Sequence, residues 1–186
     1  MKVESEVLRE TQLVVCLLFQ YAGMSFVDFA HLKERNIKNG ILDYNRQKTG
    51  TPMRLEILDT AELMRKELMG DKKPASGYLF PFLSGTKTGY EAYLEYNAAL
   101  SRFNRNLKAL KKAAGIASDV TSYTIRHSFA MALKEQNVPI EMISELLGHK
   151  SIKTTQIYLR SFSLEKMTEV NSTCFGCVYN YVSKVG

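Results

Sequence analysis

The sequence predicts a mainly helical α+β fold that contains one small antiparallel sheet. Apolar residues recur every three or four positions over several segments, which is typical of helices with one buried face, and the longest such segment covers residues 90–114. Residues 41–47 and 52–58 instead resemble strands, and residues 48–51, with Gly50, are typical of a hairpin turn between them. At 186 residues, the chain is long enough to bury a sizeable core as one domain.

The other helices are predicted from the same apolar spacing and from residues that favour helix ends. We expect them at residues 5–21, 26–33, 60–69, 124–137 and 140–147. Ser25, Thr60 and Ser151 can accept hydrogen bonds from the first backbone amides of a helix, so each is expected to be an N-cap. Residues 71–88 are rich in Gly, Pro, Lys and Ser and are expected to form a loop, anchored by the apolar segment 78–83.

The composition favours a soluble protein with an anionic partner. The net charge is +6, and 45% of the residues are hydrophobic. The apolar segment 13–21 is too short to span a membrane, and acidic residues near the start argue against a signal peptide, so a cytoplasmic location is expected. The three cysteines are an odd number and do not suggest a disulfide framework. Cys174 and Cys177 lack a second pair, so no metal site is expected.

Basic residues recur along the C-terminal half of the longest predicted helix. Their three- and four-residue spacing places them on one face, next to the apolar face: Arg102, Arg105, Lys108 and Lys112. Such a stripe is suited to contacts with a DNA phosphate backbone, which fix register rather than sequence. A solvated helix face is an equally good interpretation.

Residues 121–160 carry the side chains with the clearest chemical character. Arg126 bears a planar, permanently charged group that matches phosphate oxygens. His149 follows Leu147-Gly148, where a glycine allows a helix to end, and Tyr158 lies about two turns into the next helix. A phosphate binder, an imidazole and a phenol can thus converge near short turns. Taken singly, each residue is better interpreted as a surface or half-buried side chain.

Together these residues resemble the second half of the active site of the tyrosine recombinase, or phage integrase, family. The resemblance rests on Arg126-His127, then Leu147-Gly148-His149, then Thr155-x-x-Tyr158, in that order and spacing. The segment Gly23-Met24-Ser25-Phe26-Val27-Asp28 is similar to integrases of Bacteroides-type mobile elements. The resemblance implies a catalytic domain over residues 1–170, a C-terminal tail over 171–186, and no upstream core-binding domain.

The resemblance also implies a mechanism that needs neither metal nor cofactor. Tyr158 is expected to attack a phosphodiester of double-stranded DNA, which gives a 3′-phosphotyrosine. Arg126 is expected to supply positive charge, and Lys48 to protonate the leaving 5′ oxygen. His149, Tyr123 and Ser25 are expected to donate hydrogen bonds. Lys150 is a further candidate for DNA contact, and the C-terminal segment is expected to pack onto a neighbouring protomer in a tetramer on DNA.

Two positions depart from the family pattern. Serine stands at position 25, where the family has the first of two phosphate-binding arginines, and Tyr123 stands where the family usually has histidine. Arg46 lies two residues before Lys48, and strand residues two apart point to the same side, so Arg46 is our hypothesis for the missing charge, with Arg54 a weaker candidate. A DNA-binding relic that no longer cleaves, or an unrelated helical interaction module, remains an alternative.

Overall fold

A computed structural model describes residues 5–72 and 77–159, which form seven α-helices and three short strands. The helices are α1 (Glu6–Gln20), α2 (Phe26–Ala30), α3 (Asp59–Met69), α4 (Gly89–Ala113), α5 (Ser122–Glu135), α6 (Ile140–Leu146) and α7 (Ile152–Tyr158). The strands are β1 (Ile37–Lys38), β2 (Ile41–Asn45) and β3 (Pro52–Glu56). The predicted mainly helical fold with one small antiparallel sheet is therefore confirmed.

The three strands form one antiparallel sheet in the order β1-β2-β3. The hairpin between β2 and β3 was predicted, whereas β1 is too short to produce a detectable pattern in the sequence. On β2, Leu42 and Tyr44 are buried while Asp43 is exposed, so one face of the sheet packs on the core. Because β2 ends at Asn45, Arg46 and Lys48 follow the strand instead of lying on it.

Helix α1 lies at the centre of the main core, where it contacts α3, α4 and α5. The largest side chains that are fully buried there include Leu17, Leu18 and Phe29. Phe29 stacks on Phe80 with the ring centroids 4.1 Å apart. Residues 78–83 therefore anchor the loop between α3 and α4, as the sequence predicted.

Several helix ends differ from the expected ones by one to three residues, α5 beginning at Ser122 and not at residue 124, and two further differences involve specific contacts. Helix α2 stops at Ala30 and not at residue 33, because Lys33 is already extended and pairs with Tyr78. Thr60 was expected to cap α3, but the helix begins one residue earlier and the Thr60 hydroxyl donates to Gln20 Oε1 at 3.1 Å instead. The Ser25 and Ser151 caps are confirmed, since each side chain accepts a backbone amide hydrogen bond at the start of its helix.

A second, smaller core holds α5, α6 and α7 together. Ala130, Ile143 and Leu147 are buried in it, and Leu159, just after α7, packs against them. Within the described ranges, no helix is both long and apolar enough to cross a membrane. The tail at 171–186, its cysteines and the expected contact with a neighbouring protomer lie outside the described residues.

Candidate active site

Arg126 is buried between the end of α6 and the turn after α1. It lies in the first turns of α5 with only 4% of its surface exposed. Its Nη1 donates to the Gly23 carbonyl at 2.9 Å, and its Nη2 donates to the Leu147 carbonyl. Leu147 is the C-cap of α6, where backbone carbonyls lack partners within the helix and accept hydrogen bonds from elsewhere. The guanidinium is thus fixed by backbone atoms on two sides.

Arg46 lies beside Arg126, and the two guanidinium groups share one acceptor. Arg46 Nη1 donates to the Leu147 carbonyl at 2.9 Å and to the Gly148 carbonyl at 3.3 Å. The residue is 8% exposed, so its charge is held inside the fold. The structure therefore places Arg46 next to Arg126, although Arg46 follows β2 and is not part of that strand, and its role toward a phosphate stays our hypothesis.

Asp28 is the carboxylate that holds Arg46 in this position. It is 2% exposed and accepts hydrogen bonds from Arg46 Nε at 3.4 Å and from the backbone amide of Gln47 at 2.7 Å. The Ser25 hydroxyl donates to it at 2.5 Å. Ser25 was expected to donate to a phosphate, but here its hydrogen is directed to Asp28. Sequence reasoning missed Asp28 as a site residue, although it closes the Gly23–Asp28 segment that carries the resemblance.

Gly148 permits the close contact between Arg46 and the end of α6. Its φ of +62° lies in the left-handed region, where side chains are strained. A Cβ atom at this position would also meet Met53 Sδ and lie 2.8 Å from Arg46 Cδ. The glycine is therefore required both by the backbone turn and by the packing of the Arg46 side chain.

His149 completes the cluster as a neutral imidazole. Its Nε2 lies 3.2 Å from Arg126 Nη2, and its Nδ1 lies 2.8 Å from Thr155 Oγ1. Burial, reinforced by the charges of Arg126 and Arg46, lowers the pKa of His149 to about 4. His149 was expected to donate a hydrogen bond to the phosphate. Since arginine can only donate, Nε2 accepts in this structure.

The lowered pKa of His149 predicts a loss of stability in mild acid. The unfolded histidine titrates near its ordinary value of 6.5, so between that pH and about 4 the unfolded chain binds a proton that the folded chain does not. The contribution of His149 is complete above about pH 6.5 and is lost as the pH falls toward 4. We expect the free energy of unfolding, measured by urea denaturation, to fall more steeply over this range in the wild type than in His149→Gln.

The His31→Gln variant, which removes a histidine from α2's C-terminal end, controls for the loss of any histidine. Parallel pH profiles for the wild type and His149→Gln would contradict the prediction.

Of the remaining candidates, Lys48, Tyr123, Lys150 and the basic stripe predicted on α4 lie in exposed positions. Lys48 lies in the hairpin turn, Tyr123 is in the first turn of α5 with 62% of its surface exposed, and Lys150 lies between α6 and α7. Arg102, Arg105, Lys108 and Lys112 are all exposed along α4. Tyr158 is the last residue of α7. The described residues contain no group of three or more His, Cys, Asp or Glu side chains placed to hold a metal ion.

Several solved structures have the same fold over nearly the whole chain. XerA recombinase superposes with a TM-score of 0.63 at 21% identity, over 92% of this chain and 64% of that one. The Tn1549 transposon integrase in complex with a circular intermediate DNA gives 0.65 at 15% identity, over 91% and 60%. XerH bound to its palindromic difH substrate gives 0.64 at 20% identity, over 92% and 47%.

Curated proteins match shorter segments at higher identity. Tyrosine recombinase XerD of Lacticaseibacillus casei is 52% identical over 54 residues, which are 29% of this chain and 18% of that protein. Tyrosine recombinase XerC of Rickettsia typhi is 41% identical over 75 residues, 40% of this chain and 24% of that protein. The matched segments thus span less than a quarter of those relatives. The family model named Phage integrase family matches residues 3–165, and the chain therefore belongs to the phage integrase family.

Proposed function

We propose that this chain is the catalytic part of a site-specific DNA recombinase, which cleaves and rejoins DNA through a 3′-phosphotyrosine. The observation that carries the proposal is the pair of buried guanidinium groups, Arg46 and Arg126, which meet at the Leu147 carbonyl beside His149. Burial is the main cause of the lowered pKa of His149, and the charges of Arg126 and Arg46 lower that pKa further, as expected of a site with a positive potential. A phosphodiester anion is the ligand that such a site favours.

The reaction divides one difficult displacement into two easier ones. The phenol of Tyr158 gives its proton to solvent as its oxygen forms a bond to phosphorus, and the bond between phosphorus and the 5′ oxygen breaks. The leaving oxygen takes a proton from Lys48, acting as general acid. A 5′ hydroxyl from a partner strand then attacks the phosphotyrosine, its proton returns to Lys48, and the bond between phosphorus and the Tyr158 oxygen breaks, after which Tyr158 regains a proton from solvent. Negative charge develops on the phosphoryl oxygens in both steps, so fixed cations such as Arg46 and Arg126 stabilise both transition states.

Double-stranded DNA is the proposed partner, and the proposed active form is a homo-oligomer in the cytoplasm. Two of the proteins with the same fold, XerH and the Tn1549 integrase, were solved with DNA bound. This supports DNA as the ligand of the basic residues on α4 and of Lys150 in this chain.

The basic residues of α4 make DNA binding dependent on salt. We expect Arg105→Gln and Lys108→Gln each to reduce the slope of log K against log salt by about 0.9, because each lost phosphate contact releases one counterion fewer. The measurement is a binding titration at several salt concentrations with a long random-sequence duplex. Lys66→Gln removes an exposed lysine of α3 and serves as the matched control. Equal slopes for all three variants and the wild type would mean that the stripe is only a solvated face.

Covalent trapping tests the proposed reaction even though the target site is unidentified. The chain is incubated with nicked suicide duplexes that carry a randomised core, and adducts are separated on a denaturing gel and sequenced through the attached DNA. We expect an adduct from the wild type and none from Tyr158→Phe, which lacks only the nucleophilic oxygen. No adduct above the Tyr158→Phe background would overturn the proposal.

A DNA-binding relic of the family is the second candidate. It is favoured by Ser25, whose hydroxyl is directed to Asp28, and by the exposed tyrosine at position 123. Binding without any adduct in the trapping experiment would support the relic. The third possibility left open by the sequence, an unrelated helical interaction module, is inconsistent with membership of this family.

A further inference from the structure

A buried threonine on α7 contacts the imidazole of the candidate active site. Thr155 is 0% exposed, and its Oγ1 lies 2.8 Å from His149 Nδ1. In the sequence, Thr155 is the first residue of the motif that ends in Tyr158, and the motif alone assigns it no role. A hydroxyl that is fully buried and directed to a site histidine is the kind of contact that fixes ring orientation and proton position.

The hydrogen bonds of His149 determine which nitrogen carries the proton. Arg126 is a donor only, so the ring nitrogen that faces it, Nε2, must accept. A neutral imidazole then carries its hydrogen on Nδ1, and that hydrogen is donated to Thr155 Oγ1. With this pairing, the lone pair of Nε2 lies on the side of the guanidinium groups. In the other tautomer, the hydrogen on His149 Nε2 would face an N–H group of Arg126, so that two donors would be in contact.

The same hydrogen bond connects two elements that must stay in register. The backbone of His149 is fixed to α6, since its amide donates to the Ser144 carbonyl at 3.0 Å. Thr155 belongs to α7, a helix of seven residues that ends at Tyr158. Because so short a helix moves as one unit, a displacement of Thr155 also displaces the Tyr158 backbone. The imidazole thus bridges the helix of the nucleophile and the arginine cluster.

We infer that Thr155 is a positioning residue, which holds His149 in the Nδ1–H tautomer and fixes α7 against the arginine cluster. Its catalytic importance rests on the proposed function, whereas its effect on the tautomer does not. The conservative test is Thr155→Val, which keeps the shape of the side chain and removes the hydroxyl. Thr155→Ser keeps the hydroxyl and should restore the behaviour of the wild type.

The first readout is the tautomer, measured without DNA by long-range proton–nitrogen correlation spectra of the three histidines, with His149 assigned from His149→Gln. We expect the wild type and Thr155→Ser to show Nδ1–H alone, and Thr155→Val to show a mixture. The second readout is the single-turnover rate of adduct formation on the randomised suicide duplexes. We expect Thr155→Val to be slower by about 10- to 100-fold, the size of effect known for residues that orient histidines at metal sites, with unchanged DNA affinity.

The two readouts separate failure of this inference from failure of the proposed function. A Thr155→Val protein that keeps the pure Nδ1–H tautomer would overturn the inference, whatever its rate. A changed tautomer with an unchanged rate would overturn the positioning role. If the wild type forms no adduct, the recombinase proposal fails, and the spectra still decide whether Thr155 holds the ring.

Discussion

Arg126→Lys is expected to lower the single-turnover rate of DNA cleavage by about 1,000-fold, the lower end of what a transition-state arginine contributes to phosphoryl transfer. Arg126 reaches Gly23, Leu147 and His149 through the two terminal nitrogens of its guanidinium. Lysine has a single ammonium group on a flexible chain and cannot hold this planar arrangement. The charge is retained in the variant, so a loss of rate would report on geometry. The measurement is adduct formation on the suicide duplexes, with DNA affinity determined in parallel.

The substitution also affects stability, and that effect must be separated from catalysis. We expect the lysine to leave the buried Gly23 carbonyl without its donor, at a cost of about 1–3 kcal/mol in the free energy of unfolding, whereas the Leu147 carbonyl still accepts from Arg46. Arg65→Lys is the matched control, because Arg65 is half-buried on α3 and also binds through two nitrogens, to Glu62. We expect Arg65→Lys to cleave at the wild-type rate. Wild-type cleavage by folded Arg126→Lys would remove Arg126 from the mechanism.

The sequence was sufficient to predict the parts of the site that depend on local pattern. A glycine after an apolar helix predicted the turn at Gly148. A serine that can cap a helix, with a tyrosine two turns later, predicted the helix α7. These features follow from backbone preferences that act over a few residues. The same local reasoning predicted the hairpin, but not the point at which β2 ends, since that depends on pairing with β3.

The parts that escaped prediction depend on contacts between distant segments. Arg46 and Leu147 are 101 positions apart in the chain, so no local pattern reports that a carbonyl at the end of α6 accepts from both arginines. In the sequence, Asp28 is an acidic residue in the first turn of α2, and stabilisation of the helix start is a sufficient local reason for it. Its contact with the Gln47 backbone amide is formed only in the folded chain. The proton position on His149 likewise follows from its neighbours and not from its spacing.

Arg46→Ala is expected to lower the cleavage rate by about 100-fold, the size of effect seen when one fixed donor to a transition-state oxyanion is removed. The expectation rests on the shared Leu147 carbonyl, which places the Arg46 charge next to Arg126. Arg54→Ala tests the weaker candidate on the same hairpin. Arg54 pairs with Asp43 on the exposed face of the sheet, opposite to the buried face, so we expect its removal to leave the rate unchanged. Cleavage by Arg46→Ala at the wild-type rate would refute the hypothesis.

A double variant tests whether Arg46 does the work of the arginine that serine replaces. Ser25 and Arg46 both contact Asp28 Oδ2, so an arginine introduced at position 25 starts beside the carboxylate that Arg46 vacates. We therefore expect Ser25→Arg to raise the cleavage rate of Arg46→Ala by at least about 10-fold, which is a part of what one fixed donor contributes. In the wild-type background it should be neutral or harmful, because a further guanidinium would be crowded against two buried cations that share a single acceptor. Recovery only in the absence of Arg46 would indicate that the two positions supply the same charge to the phosphate. An equal effect in both backgrounds would mean that position 25 acts independently of Arg46.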